Sequence, residues 1–368
     1  MWRETSGMVR TPTKILLVCL LILMWFPMAE MNLCIFKEYE YSENRELAKE
    51  PELKAELSAL RRFPKDCESF IGDHLGFRCS LIRLNNILRV NLLGVSPVPS
   101  VVMGRDSWLF YRSEVFPDGF TFNDHCGLIP LSETELDALR ERIEWNHELF
   151  SRNGIFYIVV IVPNKNTIYG EFLPESIVRN GNPTRLEQFS EYMRNHSRVK
   201  VMDLRRALLN AKKLHPIYYK TDSHWNDFGA YTGYREIIEE LSRVFPGVRP
   251  ISIENEKVSV RRTSPGGDLA QMLLMDDLID EDLSTAFEIQ PDTGGRKLAK
   301  LFFRHDSFGD GLYRYFYPHF QKVVGAAPFV PFNYDRILAE RPEVVLHVFA
   351  ERYITLALHD DFFYEGAP

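Results

Sequence analysis

IFYIVVIV, residues 155–162, is an unbroken apolar run rich in β-branched side chains. A run without alternating polar positions marks a strand buried on both faces, as in the parallel sheet of an α/β protein. The segment before it is helical. Ser132 and Glu135 make a capping box, and Leu136, Leu139, Ile143 and Phe150 recur at helical spacing before Gly154 closes the helix. The segments after it continue the alternation: a helix over 185–195, a strand over 199–204, and helices over 205–213 and 227–244. Then come a strand over 300–304, a helix over 311–322, a short strand over 329–332, a helix over 334–340 and a strand over 344–349. Such a pattern predicts an α/β sandwich around a mostly parallel central sheet. Residues 245–296 are the least regular part, with Pro265-Gly266-Gly267-Asp268 and an acidic patch at 276–282.

Toward the N-terminus the pattern changes. Residues 66–95 read as helical, and 96–103, with two prolines, as a turn leading into the aromatic strand of GRDSWLFY, 104–111. Residues 38–57 are charged and poorly periodic, as in a stalk. The run ILLVCLLILMWF, 15–26, follows Arg3, Arg10 and Lys14. That is a basic flank and a hydrophobic core, short for a bilayer span of about 20 residues unless it extends through 31–36. Pro27-Met28-Ala29 is a mediocre cleavage site, so the segment reads as an uncleaved signal anchor, with a cleaved signal peptide as the alternative. The expected organisation is a cytoplasmic tip and anchor at 1–37, a stalk at 38–65 and a catalytic domain at 66–368.

Composition is that of a globular chain. Of 368 residues 45% are hydrophobic, enough for a sizeable core, and the net charge of −7 without a basic block disfavours nucleic acid as a partner. The 13% aromatic share suits either a core or a sugar-stacking groove. Outside the apolar run stand Cys34, Cys67, Cys79 and Cys126, which permit two disulfides in three connectivities and show no zinc-ligand spacing.

Two stretches carry chemistry: KLFFRHDSFGDG, 300–311, and TDSHWNDFG, 221–229. The first puts Ser307 just past a strand, where α/β sheets bind ligands and where helix-start N–H groups can stabilise an oxyanion. The second supplies Asp222 and His224. A serine hydroxyl needs a base to take its proton, and that base works best when a carboxylate orients it. Blander roles exist for each: Ser307 as a helix N-cap, His224 and Asp222 as a structural pair, Asp222 as the cap of the helix near Asp227. A metal set of Asp222, His224, His305 and His319 lacks the usual helical spacing. Asn164 and Lys165 are candidates for substrate binding or oxyanion support, although a lysine after a buried strand is commonly solvated. Trp225 is a substrate-binding candidate or packing. Arg352 is either a substrate contact or an ion-pair partner of Glu351.

The pairing of Thr221-Asp222-Ser223-His224-Trp225-Asn226 with His305-Asp306-Ser307-Phe308 resembles the SGNH-hydrolase-like domain of bacterial polysaccharide O-acetyltransferases of the AlgJ/AlgX type. Gly104 to Tyr111, Val162-Pro163-Asn164-Lys165 with Tyr169 and Pro174, Gly267-Asp268-Leu269 and the 348–353 segment resemble further parts of that domain, in order. The resemblance implies an SGNH-like sandwich with Ser307 as nucleophile, His224 as base and Asp222 as its orienting acid. The Asp/His motif precedes the serine, as in that group, while His305 stands where its serine motif more often has Gly. Also implied are an exopolysaccharide acceptor, no metal or organic cofactor, an MBOAT-type membrane protein as acetyl donor, and a single-pass inner-membrane protein with its catalytic domain in the periplasm. An SGNH-type carbohydrate esterase and a non-catalytic polysaccharide-binding or assembly protein are the alternatives.

Overall fold

The computed structural model describes residues 10–33, 46–54, 56–113, 120–289, 297–326 and 333–357. Its contacts divide the chain into two units, Met1–Pro97 and Val98–Pro368.

In the first unit, Arg10–Leu33 is one helix of 24 residues that runs through Pro27, about 36 Å long at 1.5 Å per residue. Its stretch Thr13–Met31, with a mean hydropathy of 2.0, is long and apolar enough to cross a membrane. The helical stretch expected over 66–95 is two helices, Leu57–His74 and Arg78–Leu93. They are separated because Phe77 takes a left-handed φ of 62°, which breaks the helical ladder. Gly76 lets this bend close on the first helix: its N–H donates to the Pro27 carbonyl at 3.1 Å. A Cβ there would lie 2.5 Å from the same oxygen. No disulfide joins Cys67, Cys79 or Cys126; Cys34 lies outside the described residues.

The second unit contains nine strands among the described residues: β1 (Val101–Met103), β2 (Leu109–Tyr111), β3 (Phe156–Val162), β4 (Val201–Asp203), β5 (Ser259–Thr263), β6 (Glu281–Ala286), β7 (Leu298–His305), β8 (Phe320–Ala326) and β9 (Val344–Ala350). β1 with β2, and β5 with β6, form antiparallel pairs. The other five make one sheet in the order β4-β3-β9-β7-β8, every neighbouring pair parallel. β9 is buried along its whole length and β3 is buried at all but its first residue, as expected for central parallel strands covered on both faces.

Helices cover this sheet as their sequences dictate. Glu133–Arg152 opens on the expected capping box, with Ser132 Oγ accepting from the Glu135 N–H at 3.2 Å and Glu135 Oε2 from the Ser132 N–H at 2.8 Å. Its buried positions include Leu136, Leu139, Ile143 and Phe150, each such side chain contributing about 1.5–3 kcal/mol. Asp227–Val244 is capped by Asn226, whose Oδ1 accepts from the N–H groups of Phe228 and Gly229, both at 3.1 Å. The cap is therefore Asn226, and Asp222 is left for other work.

One expected helix is overturned. Residues 311–322 take in the end of a short 3-10 segment, Ser307–Leu312, one helical turn, Tyr313–Phe316, and then the start of β8. Pro318 removes an N–H donor and cannot continue a helix, and the β-branched pair Val323 and Val324 then pairs with β7. The strand expected over 329–332 lies outside the described residues. Because β3, β7 and β9 run the same way, their C-terminal ends deliver residues 164–165, 307 and 351–352 to one edge of the sheet.

Candidate active site

β7 ends at His305, and Asp306 organises the turn beyond it. Its Oδ1 accepts from the Phe308 N–H at 3.0 Å and its Oδ2 from the Ala350 N–H at 2.7 Å, tying the end of β7 to the end of β9. Burial raises the pKa of this carboxyl, while the Arg352 charge and the two N–H donors oppose the rise. The capping duty thus falls on Asp306, and the Ser307 side chain stands exposed. The N–H groups of Phe308 and Gly309 are spent on Asp306 Oδ1 and on its carbonyl, so the turn does not leave them over for an oxyanion. His305 fits because residue 309 is glycine: a Cβ there would fall 2.2 Å from the imidazole Cγ. The His305 ring is held by the Asp306 carbonyl at 2.7 Å and the Tyr313 hydroxyl at 2.9 Å.

Across from Ser307 lies the loop of Asp222 and His224. Asp222 Oδ1 accepts from the His224 backbone N–H at 2.9 Å and from its Nδ1 at 2.7 Å. With Nδ1 donating to a carboxylate, Nε2 is left as the acceptor, and it lies 2.7 Å from Ser307 Oγ. The fold therefore brings together three residues that the sequence leaves far apart. Trp225 stitches the two loops, its indole N–H donating to the Phe308 carbonyl at 3.1 Å.

Electrostatics suit a base. Burial disfavours the charged imidazole of His224, but the hydrogen bond and charge of Asp222, with the charge of Asp268, outweigh it and raise its pKa above 6.5. Burial likewise works against the Asp222 carboxylate, and the His224 contacts overcome it, holding the group below the ordinary value.

Beneath the loop the chain is clamped by buried charge. Lys165 Nζ donates to the carbonyls of Leu109 at 2.5 Å, Lys220 at 2.8 Å and Asp222 at 2.9 Å. It also lies 5.1 Å from the Trp108 ring centroid. Burial pushes its pKa down to about 7 against the pull of Glu281, Asp222 and Asp268. Glu281 accepts from the N–H groups of Lys220 at 2.8 Å and Thr221 at 2.7 Å and from the Thr221 hydroxyl at 2.6 Å. Of the four residues singled out for substrate binding, Asn164, Lys165 and Trp225 are each 4% exposed and sit behind the Ser307–His224 face. The Asn164 N–H donates to Glu351 Oε2 at 2.8 Å, and Glu351 also takes the Thr167 hydroxyl at 2.6 Å. The Arg352 guanidinium lies over the rings of Phe308 and Tyr111, both at 5.4 Å, and its charge reaches His224 and Asp306.

Asp268 and Glu281 are the residues that sequence reasoning did not place at the site. Gly267-Asp268-Leu269 is marked by resemblance alone, and nothing in the local sequence sets Glu281 apart from the acidic patch around it. Gly267 explains the approach of that segment, since a Cβ on it would lie 2.3 Å from the Asp222 Cβ. Gly267→Ala is expected to push the segment off Asp222 and cost roughly 1–3 kcal/mol of stability, read as a lower urea midpoint with an unchanged slope.

Asp222, His224 and Asp268 are also the one group among the described residues with donor atoms gathered, within 4.8 Å, closely enough for a cation. Those atoms already satisfy one another and Ser223. Of the other two histidines in the metal set, His305 is held by the Asp306 carbonyl and the Tyr313 hydroxyl, and His319 is bonded to the Tyr234 hydroxyl at 2.6 Å.

A parallel five-stranded α/β sheet with a serine, an imidazole and a carboxylate hydrogen-bonded in line at its C-terminal edge fits an SGNH-hydrolase-like domain. The chain belongs to the family described as SGNH hydrolase-like domain, acetyltransferase AlgX, whose model matches residues 101–306, more than half of the chain, and ends immediately before Ser307. Among similar proteins, the probable alginate O-acetylase AlgJ of Pseudomonas aeruginosa is 28% identical over 202 residues, covering 53% of this chain and 46% of the relative. The protein of the same description from Pseudomonas putida is 28% identical over 145 residues, covering 39% of this chain and 34% of its own. The chain thus spans less than half the length of these relatives. Among solved structures, the O-acetyltransferase domain of Pseudomonas putida AlgJ superposes with a TM-score of 0.48 at 20% identity, covering 72% of this chain and 95% of that one. Bacillus cereus PatB1 gives 0.49 at 15%, covering 71% and 99%.

Proposed function

We propose that this protein is an exported, membrane-anchored O-acetyltransferase that passes acetyl groups to hydroxyls of an exopolysaccharide through an acetyl-serine on Ser307. The observation that carries the reading is the hydrogen-bonded line Asp222 Oδ1–His224–Ser307 Oγ, 2.7 Å at each step. His224 takes the Ser307 proton as Oγ attacks the acetyl carbonyl, and hands it to the leaving group as the tetrahedral adduct collapses. A sugar hydroxyl then gives its proton to His224 as it attacks the acetyl-serine, and the proton returns to Ser307. Asp222 holds the imidazole tautomer throughout, and the Arg352 cation adds positive potential where negative charge develops. Asn164, Lys165 and Trp225 support this centre from behind.

The apolar helix Arg10–Leu33 serves as the anchor in this reading, with a cytoplasmic tip and anchor at 1–37, a stalk at 38–65 and a periplasmic catalytic domain at 66–368. The acceptor is a polysaccharide chain. The acetyl donor is an MBOAT-type partner in the same inner membrane.

The test uses the full chain in detergent with a chromogenic acetyl ester, with and without an oligosaccharide acceptor. Acetylated sugar by mass, with a transient gain of one acetyl on Ser307, is the expected result. Free acetate alone makes the protein an esterase, and no turnover of any ester favours a binding or assembly role.

Rate against pH gives a further check. The base must be neutral to work, and contacts with Asp222 and Asp268 raise the His224 pKa. Activity is therefore expected to fall on the acid side through a midpoint above 6.5, the ordinary imidazole value. A midpoint below that value contradicts the assignment of His224 as base.

A further inference from the structure

His224 Nδ1 faces two carboxylates, and the proposed reaction uses one. Asp268 Oδ2 lies 3.5 Å from Nδ1, against 2.7 Å for Asp222. Asp268 also grips the residue between them: its Oδ1 accepts from the Ser223 N–H at 2.7 Å and its Oδ2 from the Ser223 hydroxyl at 2.5 Å. That hydroxyl is 3.3 Å from Nδ1. The Asp268 backbone N–H donates to Asp222 Oδ2 at 3.0 Å, occupying the oxygen that does not face the imidazole. One residue therefore touches Asp222, Ser223 and His224 at once, from a segment distant in the chain. Gly267 makes the contact possible by packing its backbone against Asp222 without a side chain. Two N–H groups of the same turn, Leu269 and Ala270, then donate to the Thr221 carbonyl at 3.1 and 3.3 Å.

We infer that Asp268 is a positioning residue for His224: through Ser223 and its own N–H it fixes Asp222 and the imidazole in the one orientation that aims Nε2 at Ser307. The inference rests on the proposed role of His224 as base. Asp222 Oδ1 and Ser307 Oγ hold the two nitrogens of the imidazole, but neither fixes the loop that carries it. A second carboxylate, bonded to the Ser223 N–H and hydroxyl and 3.5 Å from Nδ1, fixes that loop before any substrate arrives, and misplacing a catalytic group by about 1 Å can cost on the order of 100-fold in rate. The negative charge of Asp268 also favours imidazolium at the moment it forms. The charged groups that act on the ring are Asp222, Asp268 and Arg352; Asp306 interacts with its charge in turn, and Lys165 interacts with the two carboxylates and with Glu281.

Two variants separate charge from shape. Asp268→Asn keeps an acceptor for Ser223 and removes the charge; Asp268→Ala removes both. With the full chain in detergent and its histidines isotopically labelled, the His224 resonance is assigned by its loss in His224→Gln and titrated by NMR. The expected result is a lower titration midpoint in Asp268→Asn and the same downward move of the acid limb of kcat/KM. Asp268→Ala is expected to lose roughly 10- to 100-fold in kcat with KM little changed.

An unchanged midpoint in Asp268→Asn, with Asp222→Asn moving it in the same experiment, overturns the inference. So does full activity in a folded Asp268→Ala. If the wild-type chain shows no acetyl transfer yet the midpoint falls in Asp268→Asn, the catalytic reading fails while the hold of Asp268 on the imidazole stands.

Discussion

Ser307→Ala is expected to leave a folded protein with no measurable acetyl transfer, a loss of roughly 10⁴- to 10⁶-fold in kcat. The size follows from chemistry that stops without the covalent intermediate, since the remaining groups can only polarise a bound ester. The fold survives because the side chain is exposed. The turn it sits on is held by Asp306, through the Phe308 and Ala350 N–H groups, and not by the serine hydroxyl. The measurement is single-turnover acetylation followed by intact mass, alongside a thermal melt. A variant that melts like the wild type and still takes up one acetyl group removes Ser307 from the mechanism.

Lys165→Met is expected to be the most damaging substitution away from Ser307 itself. Methionine fills much of the same space but removes the ammonium that donates to the carbonyls of Leu109, Lys220 and Asp222, of which the Lys220 carbonyl keeps the Leu109 N–H at 3.0 Å. Glu281, Asp222 and Asp268 lose the cation whose charge they share. Stranding one partner of a buried charged network costs about 3–5 kcal/mol, a large part of the roughly 5–15 kcal/mol that keeps a domain folded. Chemical denaturation reads the loss directly. A cost below about 1 kcal/mol, the scale of a surface pair, contradicts the clamp. Because the Asp222 carbonyl is one of the three anchors, surviving protein is also expected to show a slower reaction at unchanged KM.

The sheet was legible because its strands announce themselves. Residues 155–162 carry no polar side chain apart from the Tyr157 hydroxyl, and the helices over 227–244 and 334–340 lie where their apolar spacing put them. β8 was not legible. Gln321 and Lys322 are polar and exposed because the strand lies at the sheet edge, so its pattern runs on from the helical turn before it. The pair Asp222 and His224 and the lone Ser307 could be singled out by residue type and order. Their meeting could not, because it depends on the loop between the helices Arg205–Ala211 and Asp227–Val244 folding against the end of β7, a contact between residues 83 apart in the chain.

Lys165 shows a different limit. Local sequence says only that a lysine follows a buried strand, the ordinary setting of a solvated side chain. Its burial comes from carbonyls donated by β2 and by the 220–222 loop, about 55 residues away on either side. Asp268 was equally hidden, since Gly-Gly-Asp in the sequence reads as an ordinary turn.

The position of β9 has a consequence for how the molecule comes into being. β9 is the last strand in the chain among the described residues, yet it lies between β3 and β7, pairing Phe156 with Val344 on one side and Leu301 with Val344 on the other. Until residues 344–350 emerge, β3 and β7 each expose a long apolar edge with unpaired backbone groups, the kind of edge that recruits other chains. The sheet therefore cannot close before residue 350 is available, and contacts this distant in sequence form slowly. Closure of the sheet is consequently a late event, which waits for the one strand that can pair with both edges.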